Sequence, residues 1–127
     1  MADIVIVFAD PSNPIVTDLA IVHDNESFTV QWSAVNAGVK DVPAFVDMFE
    51  ITRIPEGCPG SDDTKHDVVF KTDASEAQLA AGAAGKLVEA KVGPFPAGSY
   101  RLTVELAADL DGIGIKTFNC IEIVRAT

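Results

Sequence analysis

Residues 27–38, Ser-Phe-Thr-Val-Gln-Trp-Ser-Ala-Val-Asn-Ala-Gly, decide how this chain folds. Phe28, Val30, Trp32 and Ala34 alternate with Ser27, Thr29, Gln31 and Ser33. Successive side chains of a strand fall on opposite faces, so the pattern buries one row and wets the other. Asn36-Ala37-Gly38 then ends the run, because Asn and Gly accept the positive φ of a turn. The stretch reads as a strand whose apolar face, the lone Trp32 included, packs between two sheets.

Upstream, residues 4–8 form a compact β-branched run, a first strand or an extended arm, stopped by Asp10-Pro-Ser-Asn-Pro14. Residues 16–22 are a second apolar segment, and residues 23–26 a hairpin turn into the ribbon. Downstream come a loop with Pro43, a strand over residues 45–54 with apolar groups on both faces, and a long loop over 55–63. A short strand is expected at 68–71. The alanine-rich residues 74–84 predict at most a turn of helix, since Gly82 and Gly85 oppose a longer one. Residues 86–92 are another strand and residues 93–98 a tight corner. In residues 100–108, Tyr100, Leu102, Val104, Leu106 and Ala108 point one way and Arg101, Thr103 and Glu105 the other. Residues 109–114 turn the chain into a last strand, 115–124. Seven or eight short strands with hardly a helix make an all-β antiparallel sandwich. One domain over residues 1–127 is expected, with 1–14 as an N-terminal arm or edge strand.

A chain of 127 residues, 48% of them apolar, buries a core without staples. No apolar run is long enough to span a bilayer, and no signal-like segment opens the sequence. The net charge of −10 disfavours nucleic acid and anionic membranes. Cys58 and Cys120 lie far apart, with neither CxxC nor metal-ligand spacing. They form one disulfide if both sit at the same end of the sandwich, closing a long loop worth about 4 kcal/mol; otherwise they are unrelated thiols.

Residues 30–49, with the Asn36-Ala37-Gly38 turn and Val46-x-Met48-Phe49 beyond it, resemble the bacterial cell-adhesion-related domains called CARDB. Leu79-Ala-Ala-Gly82, the strand from Val88 to Val92, and Pro96-Ala-Gly-Ser-Tyr100 are similar to that family's second half. Asp109 and Asn119 occupy positions where the family shows an Asp and an Asn. The resemblance covers residues 16–124. It departs at the family's acidic ending, able to line a cation site in relatives and here replaced by Lys116-Thr-Phe-Asn-Cys120. The resemblance implies an immunoglobulin-like sandwich serving as an adhesion, spacer or substrate-presenting module, not as a catalyst. It also places Val46 and Met48 inward.

That phase sends Phe45, Phe49 and Ile51 to the outer face beside Asp47 and Arg53. A monomeric sandwich normally shows polar groups there, so this stripe is a candidate interface unless another strand covers it. Ile4 and Ile6 of the arm are candidates to add to a neighbour's sheet edge. Tyr100 reads as a tyrosine corner and Asn36 as a turn-satisfying amide, both structural. Asp62, Asp63, His66 and Asp67 offer metal-ligand atoms, and Asp109-Leu-Asp111-Gly112 looks like a fragment of a calcium loop. Calcium takes six to eight oxygens, more than either cluster supplies, so these are weak candidates and no cofactor is expected. His23 reads as a solvated turn residue.

No nucleophile elbow or phosphate-cradling loop is present, and Cys58 lies in an acidic loop that disfavours a thiolate. An enzyme is not expected. Two classes of function survive. One is an adhesion or spacer module on a bacterial surface, extracellular, contacting proteins or glycans. The other is a subunit of an assembly, such as a phage capsid-decoration or tail protein or a filament protomer, through self-association.

Overall fold

The computed structural model describes residues 5–58 and 66–126. Its elements are β1 (Ile6–Phe8), β2 (Val16–Thr17), β3 (Val22–His23), β4 (Phe28–Trp32), β5 (Ala34–Asn36), β6 (Phe45–Arg53), β7 (Asp67–Glu76), β8 (Val88–Val92), β9 (Gly98–Leu106) and β10 (Ile115–Val124). One sheet runs β3-β10-β9-β6-β7, and smaller sheets run β2-β4-β8 and β1-β5. β4 and β5 continue one ribbon, interrupted only at Ser33, so the two smaller sheets make one layer facing the five-stranded sheet.

The ribbon keeps its alternation for nine residues: Phe28, Val30, Trp32, Ala34 and Asn36 are buried, and the residues between them are half-buried. Phe28 to Trp32 pair with β8, and Ala34 to Asn36 pair with β1. Opposite them, β9 buries Tyr100, Leu102, Val104 and Leu106, and Trp32 stacks on Phe49 of β6 at 5.3 Å between ring centroids. The core is therefore filled from both layers by rows of period two.

Among the described residues ten strands replace the expected seven or eight. Residues 16–22 are not one strand: β2 pairs with β4, and β3 crosses to the other sheet to pair with β10 in parallel. Residues 74–84 form no helix turn: Ala74 to Glu76 extend β7, and the segment beyond is held by isolated bridges, Val42 to Leu79 and Val35 to Ala84. β-Pairing with β6 outweighs the alanines' helix preference. Ala108 is exposed, not inward, because Ala107 turns the chain at φ 54° and takes the buried place itself.

The largest correction concerns β6. Phe45, Asp47, Phe49 and Ile51 face the core, all at most 2% exposed, while Val46 and Met48 lie on the half-buried outer row. The stripe Phe45, Phe49 and Ile51 is therefore no interface. Ile6 is likewise buried, opposite Asn36 in the β1–β5 pair. Ile4, Asp62 and Asp63 lie outside the described residues.

Candidate functional site

The phase of β6 brings an acid into the interior. Asp47 is fully buried, and its two oxygens accept N–H groups from different elements: Trp32 Nε1 at 3.0 Å and the Ala107 amide at 3.3 Å. A buried carboxylate needs such donors, because transfer from water without them costs several kcal/mol. Phe45 lies opposite Glu76 in the β6–β7 pair and Asp47 opposite Ala74, so Glu76 is the diagonal neighbour of Asp47 on the same inner face.

Glu76 is only 4% exposed, and neither of its oxygens meets a hydrogen-bond donor among the described residues. Burial, and then the adjoining Asp47 carboxyl, push its pKa up to about 8, with Lys86 pulling the other way. Two carboxyls in contact cohere only if one keeps its proton. At neutral pH Glu76 is that group. Gly85 gives it room: a Cβ there would stand 2.8 Å from Glu76 Oε1. This pair braces the inside of the fold.

The outer face of the five-stranded sheet has the opposite character. Glu50 and Thr52 of β6, Val68 of β7, Arg101 and Thr103 of β9, and Lys116 and Phe118 of β10 line a shallow depression, with His66 at its rim. Phe118 faces Thr103 and Cys120 faces Arg101 in the β9–β10 pair, which sets the Arg101 guanidinium 5.0 Å from the centre of the Phe118 ring. Phe118 remains 49% exposed. In a protein of net charge −10, two cations and an aromatic ring converge here on rigid strands. A ring with a cation on it recognises planar or partly apolar groups.

The cysteines fasten this face. Cys58 and Cys120 form a disulfide with Cα atoms 5.8 Å apart, tying the loop after β6 to the outer row of β10. Both sit at one end of the sandwich because Ile54 N bonds Ser99 O, which aligns the exit of β6 with the start of β9.

Other candidates have structural duties. The Tyr100 hydroxyl donates to Pro96 O at 2.6 Å, the tyrosine corner, and burial raises its pKa. Asn36 donates to the carbonyls of Lys40 and Leu79 and accepts the Gly38 amide. Asp109 Oδ1 accepts the Val46 amide at 2.8 Å, capping the start of β6, and Asp111 is exposed. His66 Nε2 lies 2.8 Å from Glu56 Oε2, and Asp67 is an exposed first residue of β7. His23 Nδ1 contacts Glu26 Oε1 at 2.7 Å, and that hydrogen bond holds the Glu26 carboxyl below its usual range. Among the described residues no three His, Cys, Asp or Glu side chains gather where they could hold a metal ion.

Sequence reading missed both regions. The alternation of Lys116, Phe118 and Cys120 was visible, but only their pairing with Arg101 and Thr103 makes a face of them. For the inner pair, an Asp in phase with Phe45 and Phe49 was the available signal.

No protein-family model and no curated protein sequence matches this chain. Solved structures do. The CARDB domain of the PF1109 protein from Pyrococcus furiosus, solved in complex with di-metal ions, matches with a TM-score of 0.59 and 14% identity. The match covers 98% of this chain and 94% of that one. The fold is that of a CARDB domain. CARDB-like also describes its layout, a sandwich spanned nearly end to end by the neighbour. β-D-Glucoside glucohydrolase from Trichoderma reesei matches with a TM-score of 0.56 at 11% identity, and β-glucosidase 3B from Thermotoga neapolitana with 0.55 at 15%. This chain spans only 19% and 16% of those two enzymes, so the likeness is to a small part of each. At such identities it speaks for the fold alone.

Proposed function

We propose that this CARDB-like sandwich is a non-catalytic contact module that meets a protein or glycan partner through the outer face of its five-stranded sheet. The observation carrying this reading is the exposed Phe118 ring under the Arg101 guanidinium, with Lys116, Thr103 and Glu50 around it. Large exposed aromatics beside an arginine are the groups that dominate binding surfaces. Catalysis is disfavoured by the chemistry at hand: the strongly perturbed carboxyl, Glu76, is sealed in the core, and the outer depression holds no nucleophile with a base and an orienter. The di-metal binding of the Pyrococcus domain is not carried over, because the described residues offer no matching ligand cluster.

A disulfide suits an oxidising compartment, which favours an extracellular position, on a cell surface or on a virion. A second reading, a subunit of a larger assembly, is favoured by β7, whose outer edge pairs with no strand among the described residues.

The test is a glycan array combined with amide NMR titration of candidate ligands, run on the parent and on Phe118→Ser. Ligand-induced shifts are expected on Arg101, Thr103, Lys116 and Phe118, with binding lost in the variant and melting unchanged. Shifts confined to the loops, or full binding by the variant, would sink the outer-face reading.

A further inference from the structure

β7 is a ten-residue strand at the end of the five-stranded sheet, and among the described residues only β6 pairs with it. Its free edge carries a row of backbone donors and acceptors, a template for another strand. A bulge limits which part is usable. Ile51 faces Phe70 and Thr52 faces Val68, so Val69 is passed over, and the regular stretch begins at Phe70.

Charge decides the register within that stretch. Lys71 and Asp73 are both exposed and point to the outer face, two residues apart. Lys71 sits opposite Glu50 of its own sheet. Two copies meeting edge to edge about a twofold axis pair residues symmetrically around one centre. A centre at Lys71 sets lysine against lysine, and one at Asp73 sets aspartate against aspartate. A centre at Phe70 sets Asp73 against the second copy's Asp67. A centre at Thr72 alone sets each Lys71 opposite the other copy's Asp73, twice, with Phe70 opposite Ala74 on the inner face.

We propose that β7 is a self-association edge, at which a second copy of this chain adds antiparallel in the register centred on Thr72. The two five-stranded sheets then become one sheet of ten, and the two Arg101/Phe118 faces lie in one plane. The register depends on the charges along β7 and not on the role of that face.

Sedimentation velocity over a concentration series tests it with charge exchange. The parent is expected to dimerise reversibly. Lys71→Asp and Asp73→Lys, each at an exposed position, are expected to weaken dimerisation roughly tenfold, since each disrupts two symmetry-related pairs. The double variant Lys71→Asp/Asp73→Lys restores both pairs with their signs swapped and is expected to return close to the parent. Far-UV circular dichroism confirms the fold of each variant. A parent that stays monomeric up to about 1 mM, single variants that dimerise like the parent, or a double variant that remains dissociated would each overturn the proposal.

Discussion

The ribbon β4–β5 and the strand β6 lie in facing layers, touch through Trp32 and Phe49, and teach opposite lessons. In the ribbon each polar residue through Ser33 sits on the wet row, so over that stretch the hydrophobic pattern alone places the side chains. In β6 the apolar residues occupy both rows, and of its two acids Asp47 sits on the dry row while Glu50 sits on the outer one. A strand has only two phases, and choosing the wrong one moves every side chain to the other face. What selects the phase of β6 is the indole N–H of the ribbon, which reaches across the core to Asp47.

The largest test of that difference is on β6 itself. Phe49→Ala is expected to cost about 3–5 kcal/mol, and Met48→Ala less than about 1 kcal/mol, in urea unfolding. A reversed order would put the strand back in its other phase. The next effect concerns how β6 ends. Replacing Cys58 and Cys120 together by Ser is expected to cost about 2–4 kcal/mol, whereas nothing covalent restrains the ribbon. An unchanged unfolding midpoint would mean the tie contributes nothing.

Trp32→Phe keeps an aromatic six-membered ring but loses the N–H that donates to Asp47 Oδ2, and is expected to cost about 1.5–3 kcal/mol. Adding Asp47→Asn should recover part of the loss, since a neutral amide is cheaper to leave underpaired. Additive losses in that cycle would deny the link between the two layers.

The smallest effect is the pH dependence. Glu76 holds its proton up to about pH 8 in the fold, above the ordinary 4.5 of a free carboxyl. Its protonation therefore stabilises the fold fully below the ordinary value, and that contribution is lost as pH rises through 4.5 to about 8. A fall on the order of 1–2 kcal/mol between pH 5 and 8 is expected. Glu76→Gln should flatten it, read by unfolding midpoints at each pH. An equally steep profile in the variant would assign the dependence elsewhere.

Much of the fold was legible before any coordinates. The alternation in residues 27–34 and 100–106, the turn at Asn36–Gly38 and the Tyr100 corner all act locally, through groups within a few residues. The short β2 and β3 were not legible, because two residues carry no period and their sheets are chosen by distant partners. The candidate contact face was harder still. Arg101 and Phe118 are seventeen positions apart, and the sequence shows no reason for them to meet. The stripe Phe45, Phe49 and Ile51 was mistaken for a surface because its phase was set by a resemblance, not by a donor across the core.

Residue pattern by itself determined that this chain is a β-sandwich, where its turns fall, and which face of the ribbon is buried. These follow from period-two side-chain geometry and from the φ preferences of Asn and Gly. Tertiary structure alone decided the phase of β6, the burial of Glu76, and the union of Arg101 with Phe118. Each depends on one group meeting another from a different strand, a donor for an acid or a cation for a ring, and no local pattern encodes such meetings.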